Sequence, residues 1–264
     1  MDAYPLSLSM LILEKQKDYD IYMDNDYSKT TEDLLRMGLN AIAKTREDKR
    51  IIRESILSET RESGLTIKTR SEWGAKKAQV SDGDDWNYSA IVLHHAGNSY
   101  SCDEDSLNKL RQAEKTDINS FGHLSYHYAI DCLGVIFETL DIREKGAHLK
   151  GANTGHIGIV FLSDFSLPGE AGKYGPSRWD SLSEFSGQFK DDWDQSFDLP
   201  TIQQKNAIEA LVKILIKHFP IKELGGHREF ATLNALGRAC PGTYGLQIAA
   251  SLRAQFNLTS HGEK

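Results

Sequence analysis

The sequence predicts an α/β protein: a central mixed β-sheet flanked by helices, with a helical N-terminal extension. Two observations carry that prediction. From Leu65 onward, short apolar runs rich in β-branched residues alternate with segments of helical spacing, and strands interleaved with helices argue for one sheet covered by helices. Residues 1–64 read differently, as a charged helical pattern.

In chain order, Thr31-Glu-Asp begins that pattern with a hydroxyl cap followed by acids. Leu34, Leu35, Met37, Leu39, Ile42, Ile51, Ile52, Ile56 and Leu57 then recur at helical spacings, with Gly38 and Gly64 as weak points or stops. The division is therefore a helical extension over 1–64 and a second domain over 65–264. The extension either packs on that domain or serves a delivery, immunity, assembly or dimerisation partner. Strands are expected within 86–95, 126–131, 134–139 and 157–163. The run from Asp103 to Gln112 reads as a helix with acids in its first turn. Residues 202–219 form a strong amphipathic helix, with Ile202, Ile208, Leu211, Val212 and Leu215 on one stripe and Pro220 beyond its end. A last helix spans 245–256.

Composition narrows the class. The 264 residues suffice for a substantial core, and 39% hydrophobic with 26% charged residues is ordinary for a globular protein. A formal net charge of −7 argues against a nucleic-acid surface and disfavours anionic lipid. No run approaches the roughly 20 apolar residues that span a bilayer. Met1-Asp-Ala-Tyr-Pro is acidic where a signal peptide wants base, and the Leu6–Leu13 stretch is short and serine-broken. The expectation is synthesis in the cytoplasm without an export signal. The cysteine count is three, too few for a disulfide framework, and Cys102 and Cys132 are expected to be reduced thiols.

The chemistry sits in two distant stretches, Ile91-Val-Leu-His94-His95 and Gly226-His227…Arg238-Ala-Cys240-Pro-Gly. Two imidazoles and a thiolate are three ligands suited to zinc, and the tetrahedral ion then keeps one position open, the arrangement of a catalytic site. Alternation along the strand sends His94 and His95 to opposite faces, so both cannot easily hold one ion. Most buried histidines only satisfy a hydrogen bond, so the pair is weak evidence by itself.

The wider wording is more specific. Arg70-Ser-Glu-Trp73-Gly-Ala, Val92-Leu-His94-His95-Ala-Gly and Ser125-Tyr126-His127-Tyr128 come in that order. Gly146-Ala-His148…Asn153, Ile157-Gly-Ile-Val-Phe, Gly226-His227-Arg-Glu and Cys240-Pro-Gly follow. Over about 66–256 this resembles the type 2 N-acetylmuramoyl-L-alanine amidases, which include peptidoglycan recognition proteins and phage lysozyme-like amidases. The resemblance implies one zinc ion per chain held by His94, His227 and Cys240. It also implies a substrate-facing role for His95, a peptide groove lined by His148 and Asn153, and catalytic roles for Tyr126 and Arg238. Tyr126 would orient water or donate to an oxyanion. Arg238 stands where phage enzymes often carry lysine, and could stabilise charge but is a poor proton shuttle. Trp73 is the family's core tryptophan, without chemistry. His123, His127, His156, His218 and His261 read as surface or core histidines.

The implied substrate is peptidoglycan or muropeptide, cut at the amide between N-acetylmuramic acid and L-alanine. The alternatives are recognition without cleavage and zinc endopeptidase activity on the stem. Without an export signal, such a bacteriolytic enzyme would act after release or delivery, as a phage lysin or injected effector. The chain departs from the family in three places. The connection from His227 to Cys240 is longer than usual. The loop after His95 holds Cys102 but no second cysteine, which favours a bacterial or phage-like version. About 164–199 is an insertion carrying Trp179, Phe185, Phe189, Trp193 and Phe197, either packed on the domain or forming a lip for glycan with Asp191, Asp192 and Asp194.

Overall fold

The computed structural model describes residues 31–77, 83–97, 101–174, 197–230 and 239–262. The chain divides into two compact units, 1–52 and 53–264. The described part of the first is helix, the beginning of α1 (Thr31–Glu62), and Leu39 and Ile51 are exposed on it.

The second unit is built on a six-stranded mixed sheet in the order β1-β4-β3-β5-β2-β6. Its strands are β1 (Ile67–Lys68), β2 (Ala90–His95), β3 (Tyr128–Ile130), β4 (Ile136–Glu138), β5 (His156–Phe161) and β6 (Glu223–Gly226). The β3–β4 pair is antiparallel and every other pairing is parallel. The strands expected from the β-branched runs are present. The two-residue edge strand β1 and the glycine-rich β6 were not expected. All six residues of β2 are buried, as befits a strand between two parallel neighbours.

Helices α2 (Ser106–Phe121), α4 (Ile202–His218) and α6 (Gly242–Phe256) are the long helices that follow; α3 (Glu170–Tyr174) and α5 (His227–Phe230) are short. Asp105 caps α2 by accepting from the Asn108 N–H, so Asp103 and Glu104 precede the helix rather than open it. Thr201 and Gln204 form a capping box on α4. Ile208, Leu211, Val212 and Leu215 are buried as the stripe requires, whereas Ile202, in the first turn, is 64% exposed. Trp73 is buried with Leu110, Phe137 and Val160, and its indole N–H donates to the Glu138 carbonyl at 2.8 Å.

Three features differ from the sequence expectations or go beyond them. The last turns of α1 count with the second unit: Ile56, Leu57 and Thr60 are fully or almost fully buried. Arg53 makes a two-pronged ion pair with the buried carboxylate of Glu138, at 2.6 and 2.5 Å. Second, Cys102 and Cys132 are joined in a disulfide rather than left as thiols; a loop and a strand-end turn 30 residues apart meet there, which no count of cysteines reveals. Third, the two ends of the 164–199 stretch close on each other. The Asp198 N–H donates to the Asp164 carbonyl at 2.6 Å, and the Asp164 N–H to the Asp198 carboxylate at 3.0 Å. Trp179, Phe185, Phe189, Trp193 and Asp191, Asp192 and Asp194 lie outside the described residues, as does Arg238; Phe197 is stacked near Tyr244 at 6.0 Å. Among the described residues no helix is long and apolar enough to cross a membrane.

Candidate metal centre

Three elements bring the donors together. β2 carries His94 as its penultimate residue, β6 delivers His227 at the first residue of α5, and Cys240 precedes α6. β2 and β6 are parallel neighbours, so their C-terminal ends, and the histidines there, emerge side by side. Glycine is required beneath them. A Cβ on Gly226 would stand 2.5 Å from the Pro241 ring, blocking the approach of the Cys240 stretch to the strand end.

His94, His227 and Cys240 are all buried, with one ligand atom from each lying within 4.8 Å of the others. Cys240 Sγ stands 3.5 Å from His94 Nδ1. Tetrahedral zinc with bonds of about 2.05 Å to nitrogen and about 2.3 Å to sulfur separates those two ligand atoms by about 3.5 Å. The residues therefore fit such an ion in type and in spacing.

A hydrogen-bond chain fixes which nitrogen of His94 is free to coordinate. His148 Nε2 lies 3.3 Å from the His156 carbonyl, and His148 Nδ1 lies 3.1 Å from His94 Nε2. The carbonyl can only accept, so His148 donates through Nε2 and accepts at Nδ1. His94 must then carry its proton on Nε2, leaving the Nδ1 lone pair facing Cys240. Burial, above all, holds the His94 imidazole well below the usual histidine range, with His227 and His148 adding to the effect, so the ring is neutral. The His148 ring is depressed for the same leading reason, burial.

His148, which the resemblance assigns to a peptide groove, is itself buried. Its ring lies over Gly158 of β5, where a Cβ would come within 2.6 Å of it. A glycine inside an otherwise β-branched strand was the available signal. Asn153 is half-buried and its side-chain oxygen accepts from the Leu149 N–H at 2.6 Å, closing the loop that carries His148. Tyr126 lies beside the donors, half-buried, with its ring 4.8 Å from that of His94.

His95 is turned away from the donors. Its side chain is fully buried on the opposite side of β2, where Nδ1 accepts from the Phe165 N–H at 3.1 Å and lies 3.4 Å from Asp164. The strand alternation that separates it from His94 accounts for this. His127 is a core histidine: Nδ1 accepts from the Gly158 N–H at 3.0 Å, and Nε2 lies 3.0 Å from the Glu144 carbonyl. Burial first of all lowers its pKa to about 4.

Residues 84–243 match the family model described as N-acetylmuramoyl-L-alanine amidase, more than half of the 264-residue chain. The chain belongs to that amidase family. It is 33% identical to peptidoglycan-recognition protein SC2 of Drosophila melanogaster over 107 residues, 39% of this chain and 58% of the relative. The Drosophila simulans protein of the same name is 30% identical over 106 residues, 39% of this chain and 58% of its own length. The chain thus spans less than two thirds of these relatives. Among solved structures, Drosophila PGRP-LB superposes with a TM-score of 0.53 at 19% identity, covering 76% of this chain and 99% of that one. The N-acetylmuramoyl-L-alanine amidase LysC from Clostridium intestinale gives 0.50 at 16% identity, covering 74% and 98%. These two likenesses establish the fold.

Proposed function

We propose that the chain is a zinc-dependent hydrolase of peptidoglycan that cuts the amide between N-acetylmuramic acid and L-alanine of the stem peptide. The observation that carries this reading is the intact donor set, His94, His227 and Cys240, with His94 Nδ1 and Cys240 Sγ 3.5 Å apart. When bound, zinc supplies Lewis acidity that brings the deprotonation of water into the neutral range. The chain's own residues do the rest. His148 fixes the His94 ring by accepting its Nε2 proton in a hydrogen bond. Tyr126, beside His94, can offer its phenol O–H to the carbonyl oxygen as that carbon becomes tetrahedral. The same phenol is a candidate to hand a proton to the departing alanine amine.

The Cys102–Cys132 disulfide supports work outside a reducing cytosol, in keeping with an enzyme released or delivered to the cell wall. The second reading, recognition of peptidoglycan without cleavage, is favoured by the names of the curated relatives. Mass spectrometry of purified muropeptides, incubated with and without a chelator, separates the readings. Free stem peptide with unsubstituted disaccharide, lost on chelation, is the expected result. Split stems would replace the amidase reading by an endopeptidase, and binding without any product would replace it by recognition.

A further inference from the structure

We propose that Glu170 is a positioning residue for the metal centre, bracing from outside the two stretches that carry His227 and Cys240; this rests on reading His94, His227 and Cys240 as a zinc site. Residues 228–239 lie between the two ligands. A connection of that length does not by itself fix where a thiolate stands relative to an imidazole, and closing it costs entropy.

Arg228, the residue after His227, closes the connection at its base. Its backbone N–H donates to the Cys240 carbonyl at 3.0 Å, and its Nη2 donates to the Ala239 carbonyl at 2.5 Å. That guanidinium is held from two sides by α3. Glu170 Oε1 accepts from Nη2 at 2.9 Å, and the Tyr174 ring lies under Cζ with its centroid 4.0 Å away. With the Arg228 and Glu170 side chains only 16% and 8% exposed, the pair is shielded from water, unlike a surface ion pair.

The other oxygen of the same carboxylate reaches the second stretch. Glu170 Oε2 accepts from the Thr243 N–H at 2.8 Å and from the Leu167 N–H at 2.7 Å. Thr243 lies in the first turn of α6, whose N-cap residue, Pro241, makes no side-chain capping bond. A negative charge is favoured at such a helix start. One carboxylate therefore touches the neighbour of His227 on one side and the helix that follows Cys240 on the other. This gives the beginning of the 164–199 stretch a task in the chemistry: to hold two ligands at coordinating separation before the ion arrives.

The test uses the full chain with Glu170→Ala and Glu170→Gln. Zinc affinity is measured by competition with a chromophoric chelator, and the thiolate and ligand-field absorption bands are recorded after loading with Co(II). Glu170→Ala is expected to weaken zinc binding about 10–100-fold and to shift the cobalt bands, with Glu170→Gln recovering part of both. A purely structural role would lower the melting temperature of the metal-free protein while leaving both readouts unchanged, and that result overturns the proposal. Should Glu170→Ala fail to fold, Glu170→Gln decides alone by the same two readouts. If the wild type takes up no zinc, or Cys240→Ser retains it fully, the metal reading falls and the brace with it. Wild-type binding that depends on Cys240, with unaffected Glu170 variants, removes the brace alone.

Discussion

His148 Nδ1 lies 3.1 Å from His94 Nε2, so one imidazole of this chain orients another, and the chain of donors ends on the His156 carbonyl. Removing the acceptor should release the His94 ring to rotate and to change tautomer. His148→Phe is expected to lower zinc affinity about 10–100-fold, the usual effect of losing a partner behind a metal-binding histidine. Competition with a chelator measures it. Unchanged affinity would reduce the hydrogen bond to packing.

Tyr126 stands beside the donors without being one, with its ring 4.8 Å from His94. Tyr126→Phe should therefore retain zinc at wild-type stoichiometry yet cut muropeptide about 10²-fold more slowly, the scale of one lost acid–base or oxyanion group. Full turnover in a zinc-loaded Tyr126→Phe protein would return the residue to the core.

How legible this was depended on the kind of signal. His94, His227 and Cys240 could be singled out because their residue types are those zinc selects and their surrounding words are distinctive. The buried strand β2 could be read because its apolar run has no polar interruption before His94. The alternation of His95 with His94 is plain in the sequence, but its partners Phe165 and Asp164, some 70 residues on, are not. β6 escaped notice because Leu224-Gly-Gly has neither alternation nor β-branching. Its glycines are explained by side chains from elsewhere, Phe230 and Glu229 at Gly225 and Pro241 and Leu246 at Gly226, that occupy the space of their own. The pairings of Arg53 with Glu138 and of Cys102 with Cys132 are long-range, and nothing local announces them.

The Arg53–Glu138 pair bears on where the chain can be shortened. Residues 53–62 hold Arg53, the ion-pair partner of buried Glu138, and the core side chains Ile56 and Leu57, so a protein starting at Leu65 loses all three. Stranding a buried carboxylate costs about 3–5 kcal/mol, and each lost aliphatic side chain about 1.5–3 kcal/mol. A protein starting at Leu65 should melt well below one starting just before Arg53. Equal melting temperatures would mean that the end of α1 adds nothing to the core.

The disulfide between Cys102 and Cys132 closes a loop with a sequence separation of 30. Chain-entropy reasoning gives it about 2–4 kcal/mol of stability. Replacing both cysteines by serine should lower the denaturation midpoint accordingly while leaving zinc uptake intact, because neither is a ligand. Loss of zinc in a folded double variant would tie the loop after β2 to the metal centre.

His127 makes acid sensitivity the last expectation. Burial, chiefly, depresses its folded-state pKa to about 4, against an ordinary value near 6.5. Between those values the unfolded chain binds the proton more readily than the folded one, so stability rises with pH. The contribution is fully present above about pH 6.5 and is lost as pH falls toward about 4, for a total of about 3.5 kcal/mol at about 1.4 kcal/mol per unit. Wild-type unfolding free energy should therefore decline across that window with a slope of up to one proton from this residue. His127→Gln keeps a donor and an acceptor but does not titrate. The variant is expected to be less stable at neutral pH and to show a slope smaller by about one proton. Parallel pH profiles for the two proteins would show that the Glu144 carbonyl, 3.0 Å from Nε2, stabilises the charged ring enough to offset its burial.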